Sequence, residues 1–246
     1  MGQAIQWLRS LFFVLFIYGF MAVWGLLFAP WAAVSRKGAR AACKSYCKVV
    51  LWTARVMVGI RTEVRGTPPQ DEVLIAAKHQ SFLDILIIFD AVPWPKFIMK
   101  RELLWTPVIG LYAKRLGCVP IDRSKRGAAL AKMVRDVAAE VAEPGQLIIY
   151  PQGTRVAPGD HRPYKSGPGV LYRELGQPCV PVATNVGLFW PRSGVMRRPG
   201  LGVVEFLDPI LPGLSRTELT AELERVVEAK SNALMREAGF DPDAVH

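Results

Sequence analysis

The most informative spacing in the chain is KHQSFLD, residues 78–84, where His79 precedes Asp84 by five positions at the end of an apolar run. One helix turn brings the two together. A carboxylate that orients an imidazole makes it a general base for a hydroxyl attacking a carbonyl. The same residues have a second reading, because Ser81-x-x-Asp84 is also a helix N-terminal capping box.

Three further groups each follow an apolar run. GCVPIDR (117–123) ends on Arg123, YPQGTR (150–155) carries Gln152, Gly153, Thr154 and Arg155, and VPVATNVG (180–187) comes third. Two guanidinium groups beside a Gly-Thr turn, which offers backbone N–H and a hydroxyl, suit a phosphate monoester. Arg123 alone is equally a surface salt bridge. The four cysteines, Cys43, Cys47, Cys118 and Cys179, form no CxxC pair and have no nearby histidine to complete a zinc site. They read as reduced packing residues, and no metal is implied.

In these four blocks the chain resembles the glycerolipid acyltransferases, specifically the bacterial 1-acyl-sn-glycerol-3-phosphate acyltransferases, over residues 73–187. The family's NHxxxxD block matches Lys78 to Asp84 with Lys78 at the Asn position, and G-x-[IV]-x-[IV]-x-R matches Gly117 to Arg123 in full. FPEGTR appears as Tyr150 to Arg155, and the VPVA strand as Val180 to Ala183. By resemblance, His79 is the base for the 2-hydroxyl of lysophosphatidic acid, and Asp84 orients it. Arg123, Gly153, Thr154 and Arg155 hold the acceptor phosphate, and Pro181 helps to shape the site. No cofactor is implied; the acyl donor is a thioester of coenzyme A or of acyl carrier protein. Gln152 stands where the family has Glu, so acid–base chemistry is lost there and a positioning role is left. Acyltransferases for other lysolipids, such as lyso-ornithine lipid, share the blocks.

The elements that must position these residues alternate. Strands are expected at 72–77, 96–99, 118–121, 146–150, 179–184 and 202–207, with helices at 82–91, 102–116, 127–142, 169–175 and 216–237. Such alternation specifies an α/β fold with a mixed, largely parallel sheet flanked by helices, preceded by an N-terminal membrane-associated helical hairpin. The division expected is an anchoring segment over 1–66 and a catalytic α/β domain over 67–246.

The anchor follows from charge and hydropathy. Residues 11–29, LFFVLFIYGFMAVWGLLFA, are uncharged and long enough for a membrane helix, with Pro30 at its expected end or kink. Beyond it, Lys37, Arg40, Lys44, Lys48 and Arg55 share one face of an amphipathic helix over 35–59, which suits acidic headgroups. Residues 1–66 hold nine Lys and Arg against Glu63 alone, a net +8 of the chain's +10. This bias assigns the catalytic part to the cytoplasmic side, in a bacterium that of the inner membrane. The remainder carries only +2 and no nucleic-acid module, which argues against a nonenzymatic basic tether. A serine hydrolase is excluded by the lack of a GxSxG elbow. The expected partners are membrane lipids, lysophosphatidic acid and the acyl donor, with no nucleic acid.

Overall fold

A computed structural model describes residues 2–122, 134, 135, 137 and 145–245. Within them, helices α1 (Gln3–Val34) and α2 (Arg36–Thr53) lead through a π turn, Ala54–Val58, into a seven-stranded sheet. Its strands are β1 (Ile60–Arg65), β2 (Val73–Ala77), β3 (Pro95–Lys100), β4 (Val119–Ile121), β5 (Gln146–Ile149), β6 (Cys179–Thr184) and β7 (Gly200–Phe206). Helices α3 (Leu83–Ala91), α4 (Pro107–Arg115), α5 (Gly167–Leu175) and α6 (Arg216–Glu237) follow in chain order, with 3-10 turns at Arg101–Trp105, Val186–Leu188 and Pro242–Val245.

The strand order is β1-β7-β6-β2-β5-β3-β4, and every pairing is parallel except β6 with β7. The central strands β2, β5 and β6 are buried at every residue, as their uninterrupted apolar sequences require when helices cover both faces. Alternation along β2 divides the core. Ile75 and Ala77 pack with Phe13, Val50 and Ile88 under α1 to α3, whereas Leu74 and Ala76 pack with Leu171, Leu219 and Leu223 of α5 and α6. The register, Ala76 opposite Ile149 and Ala77 opposite Val182, brings the carboxyl ends of β2, β5 and β6 to one edge. Ligands of open α/β sheets bind at such an edge.

Several expectations are corrected. The helix expected over 102–116 divides into a 3-10 turn, Arg101–Trp105, and α4, because Pro107 takes the first helical position and forces Thr106 into extended backbone. Strand β1, which sequence periodicity misses, lies inside the segment expected to be anchor and pairs with β7. Its residues IRTEVR are mostly polar because it is an edge strand with one buried position, Ile60. Helix α1 does not end at Pro30 but runs on to Val34, where Ser35 caps α2 by accepting from Gly38 N at 3.4 Å. The cation face of α2 is divided too. Lys37, Lys48 and Arg55 are exposed, but Lys44 Nζ donates to the Asp90 and Val92 carbonyls, at 2.7 and 2.6 Å, and so holds the C-terminus of α3. The helix expected over 127–142 falls almost wholly outside the described residues.

Helix α1 is attached along its whole length. Gln6 Nε2 donates to the Val58 and Arg197 carbonyls at 3.0 and 2.9 Å, and Arg9 Nε donates to Met57 O at 2.6 Å. Tyr46 Oη reaches Ile17 O at 3.3 Å, Tyr112 Oη reaches Gly25 O at 2.8 Å, and Arg115 donates to Ala33 O. Gly25 is required by this packing, since a Cβ there would lie 2.4 Å from Val108 Cγ1. The opposite face exposes Phe12, Leu15, Leu26, Leu27 and Val34.

Candidate active site

Strand β2 ends at Ala77, and the chain then turns through His79 into α3, so that Asp84 lies in the first turn of that helix. The capping box expected here forms only in half, because the N-cap of α3 is Phe82 without a side-chain cap, and Asp84 gives the carboxylate half while also meeting His79. Asp84 Oδ1 lies 2.8 Å from His79 Nδ1, while Oδ2 accepts from the backbone N–H of Gln80 and Ser81 at 2.9 and 2.7 Å. Ser81 Oγ accepts from Leu83 N at 3.0 Å. Asp84 is fully buried, and its three donors replace the water that it loses. Hydrogen bonding from Nδ1 leaves Nε2 of His79 as the acceptor. The His79 side chain is 13% exposed.

Tyr150 stacks on His79, with ring centroids 3.9 Å apart and planes 20° apart. Its hydroxyl is buried beside Asp84 without an aligned hydrogen bond among the described residues, and burial, then the Asp84 charge, push this phenol well above its usual range. Gly153 follows in the left-handed region at φ 70°, with its N–H bonded to Tyr150 O at 2.9 Å. Val156 N donates to His79 O at 2.8 Å, which ties the loop after β5 to the His79 turn.

A cavity of about 570 Å³ opens at this edge. His79, Thr154, Arg155 and Lys100 stand among its lining, and beyond them it runs between α1, α2, α3 and α4 over almost wholly apolar side chains. Cys43, Cys47 and Cys118 line it, and burial, then Cys118, pushes the Cys43 thiol up to about 12. Such thiols are poor nucleophiles.

The structure thus brings together His79, Asp84, Thr154 and Arg155, with Gly153 in the same turn. Arg123 lies outside the described residues. Gln152 is 2% exposed and points to the opposite side of the sheet from the cavity, where its Nε2 donates to Glu228 Oε1 at 3.4 Å. Two cations were missed in the sequence. Lys100 ends β3 at the same carboxyl edge as the other site residues, a positional signal that was present. Lys165 comes from a distant part of the loop: a Cβ on Gly153 would lie 2.9 Å from its Nζ. No local spacing marks it.

The family model described as Acyltransferase matches residues 61–185, the stretch that holds these site residues. This chain belongs to the acyltransferase family. Among the acyltransferase's relatives, the 1-acyl-sn-glycerol-3-phosphate acyltransferase of Pseudomonas aeruginosa is 30% identical over 202 residues, covering 80% of this chain and 79% of its own. The human 1-acyl-sn-glycerol-3-phosphate acyltransferase alpha is 28% identical over 224 residues, 89% of this chain and 78% of its own. In fold, the acyltransferase is similar to the crystal structure of the 1-acyl-sn-glycerophosphate (LPA) acyltransferase PlsC of Thermotoga maritima. The TM-score is 0.77 at 23% identity, over 92% of this chain and 95% of that one.

Proposed function

We propose that this acyltransferase moves an acyl chain from a thioester to the 2-hydroxyl of 1-acyl-sn-glycerol 3-phosphate, giving phosphatidic acid and a free thiol. The observation that carries the reading is a buried-carboxylate histidine, Asp84 to His79, at an edge where cations meet a long apolar cavity. The names of the relatives agree with it.

In this reading His79 Nε2 takes the proton of the acceptor hydroxyl as its oxygen attacks the thioester carbonyl. The tetrahedral intermediate collapses by breaking the C–S bond, and the departing sulfur takes the proton back from Nε2. Asp84 holds the ring and stabilises the imidazolium formed between the two steps. Transfer is direct, since burial raises the titration of Cys43 and Cys47 and so makes them poor nucleophiles. Arg155, the Gly153–Thr154 turn and, by resemblance, Arg123 hold the acceptor phosphate, with Lys100 and Lys165 adding positive charge. The acyl chain occupies the apolar cavity. Gln152 faces away from that cavity, so its exchange for the family's Glu does not count against a phosphorylated acceptor. Either thioester donor suits the basic surface.

Location follows from α1. A helix bonded to the rest of the protein from Gln6 to Ala33 and bare on its other side supports insertion into one leaflet, parallel to the surface, rather than a crossing. The exposed Lys37, Lys48 and Arg55 favour acidic headgroups, and the positive bias favours the cytoplasmic leaflet.

The test offers three acceptors in vesicles with one acyl thioester: 1-acyl-sn-glycerol 3-phosphate, 1-monoacylglycerol and a lyso-ornithine lipid. Phosphate recognition by charged hydrogen bonds favours the first over the second by about tenfold or more. Equal use of monoacylglycerol, or acylation of the lyso-ornithine lipid alone, overturns the reading.

A further inference from the structure

On the side of the sheet away from the cavity, three segments of the site converge on one carboxylate. Lys78, 2% exposed, is the residue before His79, and its Nζ pairs with Glu228 Oε2 of α6. Gln152, the residue before Gly153, donates to Glu228 Oε1 at 3.4 Å. Tyr164, the residue before Lys165, donates its hydroxyl to the same oxygen at 3.0 Å. Burial, then the Glu228 charge, keep that phenol protonated far above its usual range, so Tyr164 is the donor and Glu228 the acceptor. Of the three neighbours, His79 lines the cavity, Gly153 precedes the lining residues Thr154 and Arg155, and Lys165 Nζ lies against Gly153.

Within these four side chains the charges balance, while Glu224 beside them accepts from Tyr164 N at 3.4 Å and lies 2.7 Å from His161 Nε2. Lys78 and Glu228 cancel, and Gln152 and Tyr164 are neutral donors. Among the described residues Gln152 Oε1 is buried without a partner, whereas its Nε2 donates to Glu228. A carboxylate at position 152 would stand about where Nε2 does, beside Glu228, leaving two buried anions to one cation. Gln at 152 and Glu at 228 therefore belong together.

We propose that Glu228 is a positioning residue for acyl transfer: with Lys78, Gln152 and Tyr164 it forms a neutral strut through which α6 sets His79 against the Gly153–Arg155 turn. The proposal rests on His79 being the base. Glu228 touches neither substrate nor the reacting atoms. Its effect is geometric, because a buried ion pair fixes its neighbours when both partners are satisfied and displaces them when one is not. The strut also accounts for both departures from the family pattern, Lys78 and Gln152, as one change made at two positions around a carboxylate carried by α6.

The test moves the carboxylate. Full-length wild type, Gln152→Glu, Glu228→Gln and the double variant Gln152→Glu/Glu228→Gln are compared in vesicles for kcat per folded molecule, for KM of both substrates and for thermal unfolding. Gln152→Glu is expected to lose about tenfold or more in acceptor kcat/KM, the scale of a sub-ångström misplacement, with the thioester KM unchanged. The double variant keeps the net charge and is expected to return to within about threefold of wild type. Full activity in Gln152→Glu, or a folded double variant no better than the singles, overturns the proposal. If Gln152→Glu does not fold, the double variant decides: folded and active supports the strut, folded and inactive or unfolded overturns it. A wild type without turnover counts against acyl transfer, while recovery of the unfolding temperature in the double variant still supports the strut and its absence overturns it.

Discussion

Asp84→Asn changes one oxygen of a buried carboxylate to an amide nitrogen, and the structure dictates which one. The new amide has two orientations. In the first, the carbonyl oxygen stays on the Gln80 and Ser81 N–H groups, now 2.9 and 2.7 Å from Oδ2, and the amide nitrogen faces His79 Nδ1. In the second, the nitrogen opposes two buried backbone donors, and leaving both unsatisfied costs about 1 to 3 kcal/mol each. The first orientation wins by that margin. It makes His79 accept at Nδ1 and so carry its proton on Nε2, the nitrogen that must be free to take one. The stability cost is then small, while kcat should fall by about a thousand- to ten-thousandfold, or roughly 4 to 5.5 kcal/mol of transition-state energy. The assay is thiol release from the acyl thioester at saturating lysophosphatidic acid, with circular dichroism and thermal unfolding on the same sample. A folded Asp84→Asn enzyme within about tenfold of wild-type kcat would refute the tautomer argument.

Further outcomes follow from the geometry. Arg155→Ala should raise the acceptor KM by about ten- to a hundredfold, the equivalent of a charged hydrogen bond of roughly 1.5 to 3 kcal/mol, with the thioester KM unchanged; steady-state kinetics with each substrate varied checks it. Gly153→Ala should cost about 1 to 2 kcal/mol in urea unfolding, because φ 70° is left-handed, and should weaken acceptor binding by pressing a Cβ toward Lys165 Nζ. Phe12→Glu/Leu15→Glu, on the exposed face of α1, should release the protein from neutral and acidic vesicles alike. Lys37→Glu/Lys48→Glu/Arg55→Glu should instead weaken binding to acidic vesicles only, by about 1 kcal/mol per cation and less at high salt. Sedimentation with vesicles of both compositions separates the two effects.

What was legible in the sequence is what local pattern encodes. β2, β5 and β6 read clearly because strands buried on both faces are continuous apolar runs. Helix α6 matches the expected 216–237 because its apolar positions recur at helical spacing, and the structure adds a capping box of Ser215 and Glu218 at its start. The pairing of His79 with Asp84 was visible because both residues lie within one turn of chain. Strand β1 was not, since an edge strand with one buried residue has no apolar pattern to follow. The role of Lys44 was hidden for a related reason: periodicity gives the face of α2 on which a residue lies, not the α3 carbonyls that wait there. Glu228 was least accessible of all. It lies 150 residues from Lys78 on a helix whose exposed acidic neighbours look the same, and only the packing of α6 on β6 selects it. Hydropathy likewise identified α1 as apolar without showing that one side of it is bonded to the protein from end to end.

The most direct measurement is acyl transfer by His79→Ala. Purified wild type and His79→Ala, matched for folded protein by circular dichroism and thermal unfolding, are given radiolabelled acyl thioester and 1-acyl-sn-glycerol 3-phosphate in acidic vesicles, and phosphatidic acid is counted. Wild type should form it, and His79→Ala should fall by about a thousandfold or more, as removal of a general base that also returns the proton to the leaving group requires. Folded His79→Ala forming phosphatidic acid at a rate near wild type would contradict the assignment of His79 as the base.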